Sequence, residues 1–287
     1  MKKVFIVTDS TADLPKELSS AYNITVVPLK VIFDGCEPLL DGVDIKTEQF
    51  YHRLVENREL SITSQPTPAE FASTYQRLHA EGGSIISIHI SSAMSGTCQS
   101  ARLGKDMVPG ADIEVIDSQS VSMGLGLVVL TAARAARAGK SKQEIYAIIR
   151  RLIPKIKVYF IANSLDYLAR GGRIGKAQAF LGTILNIKPL LYLKEGIVHP
   201  YEKIRGRAKA MDRLAQTVGE KVGDKLIQCS LVHSNDPAGI EQLRQKIMAQ
   251  LNCDEPIIAN LGTVVGTHTG PGVLGVAFYV REDDLGG

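Results

Sequence analysis

The sequence predicts an α/β protein of two lobes: an N-terminal open, mostly parallel sheet with flanking helices, then a C-terminal mixed α/β lobe, with a cleft between them. Three observations carry this. Short Val/Ile-rich runs alternate with segments of helical period, the pattern of parallel strands joined by crossover helices. The 287 residues fall where single cores stop growing and chains divide, at about 250 to 300 residues. In the second half two strand-like runs are separated only by Glu195-Gly196, a hairpin signal, so that lobe mixes antiparallel with parallel pairing.

In order along the chain, Val4–Thr8, Thr25–Phe33, Ser84–Ile90 and Ile113–Asp117 read as strands of the first lobe. Pro15–Tyr22, Thr47–Glu56, Pro68–Ala80, Thr97–Met107, Gly124–Ala138 and Lys142–Ile153 read as helices. The second lobe begins near Lys157, giving domains 1–156 and 157–287. It offers strands Val158–Ala162, Leu190–Leu193, Ile197–Tyr201, Ile227–His233, Pro256–Leu261 and Gly275–Val280. Helices are expected at Ala177–Leu185, from about Gly206 to Val222, and at Ala238–Leu251. The chain has no internal repeat and no low-complexity linker.

Hydrophobic residues make up 45% of the chain and charged residues 22%, a foldable composition without the apolar excess of a membrane protein. The net charge of +3, from 33 basic and 30 acidic residues, gives no overall field for nucleic acid. Cys36, Cys98, Cys229 and Cys253 are far apart, with no C-x-x-C pair, so neither a zinc site nor a dithiol motif is expected, and no other metal or cofactor is implied. The apolar run Val4 to Val7 is shorter than the ~7 residues of a signal-peptide core, and Met123 to Ala133, the nearest approach to a membrane span, is ended by Arg134 and Arg137. The expected location is the cytoplasm.

Five segments could carry chemistry. Asp9-Ser10-Thr11 follows the first strand, at the sheet end where α/β folds place their sites, although Ser10, Thr11 or Asp13 would equally cap the next helix. A phosphoaspartyl enzyme would want a carboxylate at Thr11, which argues against phosphoryl transfer through Asp9. In Thr63-Ser64-Gln65-Pro66-Thr67-Pro68, Thr67 with Glu70 forms a capping box, while Thr63 to Gln65 lie upstream, either lining a pocket or facing water. Ser91-Ser92-Ala93-Met94-Ser95-Gly96-Thr97 joins a strand to a helix, where free N–H groups and hydroxyls make an anion site without a phosphate-loop lysine. Leu168 to Ile174 holds two glycines between Arg170 and Arg173, and Lys203, Arg205, Arg207 and Lys209 form a second basic run, either a solvated face or a docking surface for an acidic or phosphate-bearing partner. Gly266 to Gly272 is a glycine-rich segment in which Thr267, His268 and Thr269 are candidates for sealing a site shared by both lobes.

Taken in order, V-T-D-S-T-A-D-L-P, T-S-Q-P, S-S-x-x-S-G-T, G-G-R-I and T-H-x-G-P-G over residues 7 to 272 resemble the DegV family of bacterial fatty-acid-binding proteins. The resemblance implies two α/β lobes that bind one long-chain fatty acid, of about C14 to C18, non-covalently between them. It also implies a carrier rather than an enzyme, which presents the acid to a partner fatty acid kinase for conversion to an acyl phosphate in phospholipid metabolism, with transient membrane contact. Carried onto this chain, it assigns the carboxylate to Thr63 and Ser95 first and to Ser92 and His268 second, with Ser64, Gly96, Thr97 and Thr267 around them. It assigns Arg173 and Arg205 to the kinase. Ala93-Met94 departs from the usual residues of the third motif and bears on the pocket mouth.

Burying about fifteen methylenes at ~0.8 kcal/mol each gives a gross gain of order 12 kcal/mol before the losses on binding. A carboxylate held by neutral hydroxyls, without a buried lysine or arginine, implies a raised ligand pKa or partial solvation. The apolar residues Phe180, Leu181, Ile184, Leu185, Ile187, Leu190 and Leu191 are the expected tunnel lining. The alternative is a hydrolase or phosphotransferase using Ser95 or Asp9 with His268.

Overall fold

The computed structural model describes residues 3–56, 59–182 and 186–281. The strands are β1 (Val4–Asp9), β2 (Thr25–Val27), β3 (Lys30–Phe33), β4 (Leu39–Leu40), β5 (Ser61–Ser64), β6 (Ser84–His89) and β7 (Ile113–Asp117). They continue with β8 (Lys157–Ile161), β9 (Ile187–Lys194), β10 (Ile197–Arg205), β11 (Ile227–His233), β12 (Ile257–Asn260) and β13 (Leu274–Val280). The helices are α1 (Lys16–Ala21), α2 (Thr47–Val55), α3 (Pro68–Ala80), α4 (Thr97–Asp106) and α5 (Met123–Arg137). After them come α6 (Lys142–Leu152), α7 (Asp166–Arg170), α8 (Arg207–Val222), α9 (Pro237–Gln250) and α10 (Thr263–Thr269).

The expected α/β class holds. The first sheet is parallel throughout, in the order β2-β1-β6-β7. The second is a mixed six-stranded sheet, β10-β9-β8-β13-β11-β12, in which β9 and β10 pair antiparallel across the Glu195-Gly196 turn. Between the two sheets lies α5, which touches β1 and β6 on one side and β11 and β13 on the other. That position explains its composition: Met123 to Ala133 is buried all round, as a helix sandwiched between sheets must be. One core cluster therefore runs from Ile6 and Ile86 through Leu127 to Phe160 and Ala277.

Five expectations need correction. The run Thr25–Phe33 is two strands in two sheets, because Pro28 cannot donate to a ladder and the chain turns there; β3 joins a small antiparallel sheet, β4-β3-β5. The segment from Thr63 begins in a strand: Thr63 and Ser64 end β5, with Thr63 opposite Val31, and only Gln65 to Thr67 form the loop before α3. The glycine-rich segment at 266–272 begins inside α10, a helix whose Gly266 lets it approach α2 so closely that a Cβ would stand 2.7 Å from the Tyr51 hydroxyl. The basic run is not one extended face, since Lys203 and Arg205 lie on β10 while Arg207 and Lys209 lie on α8. Where a helix was expected at Ala177–Leu185 there is a 3-10 segment, Gly175–Phe180, and Ile184 and Leu185 lie outside the described residues.

Local rules explain the well-read elements. Helix α3 opens on the Thr67/Glu70 capping box with Pro68 in its first turn, the Glu70 amide donating to Thr67 Oγ1 at 3.3 Å and the Thr67 amide to Glu70 Oε2 at 2.6 Å. Helix α6 uses the same device at Ser141 and Glu144. Among the described residues no helix is long and apolar enough to cross a membrane.

Candidate functional site

Helix α10 brings the end of the chain to the first half of the fold, packing on α2, α7, β3 and β5. Its start is held by two carboxyls from distant loops. Asp13 Oδ1 accepts from the Gly262 amide at 2.9 Å, and Asp41 Oδ1 accepts from the Thr263 amide at 3.1 Å and its hydroxyl at 2.8 Å. Burial pushes both carboxyls above their ordinary range, Asp13 further, against the pull of the Ser122 hydroxyl and the Gly262 amide.

Strand alternation then sets the contact. On β5, Ser61 and Thr63 point to one face and Ile62 and Ser64 to the other. Ser61 Oγ lies 3.0 Å from Thr267 Oγ1, and Thr63 Oγ1 lies 2.8 Å from His268 Nε2. The ring of His268 rests on Gly171, where a Cβ would stand 2.1 Å from Nδ1, so the first glycine of the Gly171-Gly172 pair is a contact requirement. Burial, and then the neighbouring Arg173 charge, lower the His268 pKa to about 4, so the ring is neutral at neutral pH. Arg173 is itself pinned: its Nε donates to the Met94 carbonyl at 3.0 Å and Nη1 to the Gly171 carbonyl at 2.7 Å.

Thr63, Arg173 and His268 line a cavity of about 480 Å³, within the range of about 300–1,000 Å³ usual for small-ligand sites. Thr63, Ser64, Gln65, Ser95, Arg173 and His268 line its polar part. Val158 and Phe160 of β8, Leu193 of β9, Val198 of β10, Val232 of β11 and Val265 of α10 line its apolar part. A long apolar chain with a polar head matches that division.

The expected site residues fare differently. Thr63, Ser64, Ser95 and His268 all line the cavity, as does Met94. Thr97 is buried beneath the site, its Oγ1 2.8 Å from Ser95 Oγ, and the Thr97 amide donates to Ser95 Oγ at 3.3 Å. Gly96 packs against the Gln65 side chain, and Thr267 belongs to the face beside Ser61. Ser92 turns away: its amide, at 3.2 Å, and its hydroxyl both donate to Asp117 Oδ2. Much of the loop's backbone is engaged: the N–H groups of Ser92, Ala93, Met94, Ser95 and Thr97 each donate within or beside it, and the Ser95 side chain lines the cavity.

None of Phe180, Leu181, Ile187, Leu190 or Leu191 lines the cavity. Leu190 faces α8 in a separate core cluster, whereas Leu193, on the opposite face of the same strand, reaches the cavity. The apolar lining is not a continuous run of sequence; it comes from single positions of several strands, from α10 and from the loops around it.

The pairs needed for nucleophilic catalysis are not formed. His268 is bonded to Thr63 and not to Ser95, and Asp9 is fully buried against a different histidine, with its Oδ2 accepting from His89 Nδ1 at 2.9 Å and from the Ile90 amide at 3.0 Å. Asp9 also caps the 3-10 turn Ser10–Ala12 through its Oδ1, which accepts from the Thr11 amide at 3.1 Å. Among the described residues no group of side chains is arranged to hold a metal ion.

A fold of two main sheets around a shared helix, with a cavity whose lining combines hydroxyl, imidazole and guanidinium groups with many apolar side chains, is an α/β architecture suited to an amphipathic ligand. The sequence model described as an uncharacterised protein of the DegV family matches residues 3–281, and the chain belongs to that family. It is 38% identical to a DegV domain-containing protein of Caldanaerobacter subterraneus subsp. tengcongensis over 97% of this chain and 99% of the relative. It is 34% identical to Protein DegV of Bacillus subtilis over 97% and 99%. Among solved structures, a DegV family protein from Thermus thermophilus described by its fatty acid binding superposes with a TM-score of 0.91 at 36% identity, over 98% of this chain and 100% of that one. A stearic-acid-binding protein from Eubacterium ventriosum superposes with a TM-score of 0.88 at 29% identity, over 98% of each chain.

Proposed function

We propose that the protein is a non-enzymatic carrier that holds one long-chain fatty acid, of about C14 to C18, with its carboxylate at Thr63 and Ser95 and its chain in the apolar part of the cavity. The observation that carries this is that the Thr63–His268 pair and Ser95 line the same cavity as a set of apolar side chains that includes Val158, Phe160, Leu193, Val198 and Val265. The fatty-acid binding of related structures supports it. In this reading residues 1–156 supply the carboxylate loops and 157–287 the chain pocket, with α10 reaching back across the division to deliver His268.

The hydrogen bonds give the hydroxyls a direction. If His268 carried its proton on Nδ1, that N–H would be buried without a partner, since Nδ1 has none among the described residues. A bare buried acceptor costs less than a bare buried donor. The Nε2–H tautomer therefore donates to Thr63 Oγ1, and the Thr63 hydroxyl proton is left to donate to a carboxylate. Ser95 Oγ accepts from the Thr97 amide, and with Thr97 also donating, the Ser95 proton is free for the same task. Arg173, at the cavity rim, adds a positive charge that the sequence reading had reserved for a partner. It counters the desolvation that would otherwise raise the ligand pKa.

The carrier would act in the cytoplasm, meet the membrane transiently to load, and present the acid to a fatty acid kinase through Arg173 and Arg205. Arg205 is exposed at the end of β10, whereas Arg207 is tied to Asp236, to the Gly272 carbonyl and to Asn163. Lipid extraction and mass spectrometry of the purified protein, beside a Thr63→Ala/Ser95→Ala double variant, tests the carrier reading. Stoichiometric fatty acid in the wild type and little in the variant is expected. No lipid in the wild type, even after incubation with mixed fatty acids, would overturn it, as would substrate turnover by the isolated protein.

A further inference from the structure

A separate cavity, of about 470 Å³, lies at the far end of the first sheet and shares no lining residue with the cavity described above. Helix α5 marks the separation. Ser122, just before its first residue, lines the first cavity, and Arg137, its last, lines this one, about 22 Å away at 1.5 Å per residue. The start of β1, the end of α1 and the turn after α5 complete the walls.

The lining is one-sided in charge. It includes Lys3, Arg137 and Lys140 and no aspartate or glutamate, in a chain whose 33 basic and 30 acidic residues nearly balance. Lys3 has a surface pair, 3.6 Å from Glu81 between two exposed side chains, and such pairs contribute little. Glu144, which feels the Lys140 charge, is engaged by the amide and hydroxyl of Ser141 in capping α6. The end of α5 does not account for the cations. A helix C-terminus carries about half a negative charge, and the carbonyls of Arg134, Ala135 and Ala136 already accept from the amides of Ala138, Lys140 and Gly139 at 2.9, 3.1 and 3.0 Å.

The remaining polar lining suits a flat heterocycle. Tyr22 is half-buried in the wall, with the Arg137 guanidinium 5.6 Å from its ring centroid and that of Arg134 6.0 Å. Asn23 stands beside it, and its side-chain amide has no hydrogen-bond partner among the described residues. We infer that this cavity binds a purine nucleoside polyphosphate. The phosphates meet Arg137, Lys140 and Lys3, the guanidinium giving paired N–H donors to phosphate oxygens. The base stacks on Tyr22, and the Asn23 amide, with a donor and an acceptor side by side, pairs with its edge. An apolar ligand would take three charges out of water without compensation. An inorganic anion would leave Tyr22 and Asn23 without a role.

The test is calorimetry on the full chain with adenosine triphosphate, guanosine triphosphate, tripolyphosphate and adenosine, for the wild type and for Arg137→Gln, Lys140→Gln and Tyr22→Leu. Thermal midpoints confirm that each variant is folded. The wild type should bind at least one of the two nucleotides about tenfold more tightly than tripolyphosphate or adenosine. Arg137→Gln and Lys140→Gln should each weaken that nucleotide by about fivefold or more. Tyr22→Leu should weaken it as well while leaving tripolyphosphate within about twofold. If Tyr22→Leu does not fold, the two charge variants decide, since Arg137 is exposed and Lys140 half-buried at the surface. A wild type that binds neither nucleotide overturns the proposal. So does a nucleotide affinity indifferent to both charge substitutions, or tripolyphosphate bound as tightly as the nucleotides.

Discussion

His268 Nε2 stands 2.8 Å from Thr63 Oγ1 although 205 residues separate them in the chain. The contact joins the antiparallel three-stranded sheet to α10 and, on the carrier reading proposed above, leaves the Thr63 hydroxyl proton to the ligand. Thr63→Val, which keeps the shape and removes the hydroxyl, should weaken fatty-acid binding by about 10- to 100-fold, the worth of one hydrogen bond to a charged group. His268→Ala should weaken it less, because Thr63 then keeps its proton but loses its orientation. Displacement of a fluorescent fatty acid measures both; equal affinity for wild type and Thr63→Val would remove Thr63 from the site.

Gly171 supports the same ring from the other side. Adding one methyl group there in Gly171→Ala puts a carbon 2.1 Å from His268 Nδ1, closer than any packing tolerates, so the ring must turn away from Thr63. The variant should reproduce the affinity loss of His268→Ala, and in the His268→Ala background it should cost nothing further in binding. Additive losses in that double variant, read by the same displacement assay, would mean that Gly171 acts on something other than the ring.

The lowered pKa of His268 has a consequence for stability. The folded protein keeps the ring neutral down to about pH 4, whereas the unfolded chain protonates it near 6.5. As the pH falls through that window the unfolded state takes up a proton that the folded state refuses, so stability is lost between about 6.5 and about 4. Relative to His268→Gln, the wild type should lose about 1–2 kcal/mol between pH 7 and pH 5 in urea unfolding. A pH-independent difference between the two proteins would show that the ring is not desolvated.

The chain made most of this fold readable because its helices announce themselves locally: Thr67 with Glu70 and Ser141 with Glu144 are complete capping signals. Strands β6 and β8 read clearly because they are buried runs of Ile, Val and Phe. Strand β5 did not, because Ser61, Thr63 and Ser64 are polar and imitate a loop. Helix α10 was hidden in the same way, since Gly266 serves a close approach to Tyr51 and its first turn is held by Asp13 and Asp41, both more than 200 residues away. Thr63, Ser95 and His268 were legible as motif residues. Their pairing was not, and neither was a cavity lining drawn from several strands, α10 and loops, because nothing local tells which face of a strand meets the cleft.

Asp13 should show the opposite pH dependence to His268. Its buried carboxyl is raised above the ordinary 3.8, so the folded state holds a proton that the unfolded state releases as the pH rises through that window. The stability it contributes is full at low pH and lost on the way to the folded-state value. Asp13→Asn keeps an oxygen to accept from the Gly262 amide and abolishes the titration. It should gain stability on the wild type as the pH rises from 4 to 8 in chemical unfolding. A gap that stays constant over this range would mean that Asp13 is charged at low cost in the folded protein.

Asp9 is the strongest test of a structural against a chemical role. Tyr75 donates to Ser87 Oγ at 2.8 Å, Ser87 Oγ lies 2.6 Å from His89 Nε2, and His89 Nδ1 lies 2.9 Å from Asp9 Oδ2, all in the interior of the first sheet. The same carboxyl also takes the amides of Thr11 and Ile90 and the Thr11 hydroxyl. Asp9→Ala would leave the His89 and Ile90 N–H groups buried without partners, a loss of about 3–5 kcal/mol by comparison with other broken buried pairs. The variant should unfold at markedly lower urea, while whatever folded fraction remains still binds fatty acid, because the carboxyl reaches neither Thr63 nor Ser95. Stability within about 1 kcal/mol of wild type together with lost binding would reverse the assignment and make Asp9 part of the ligand site.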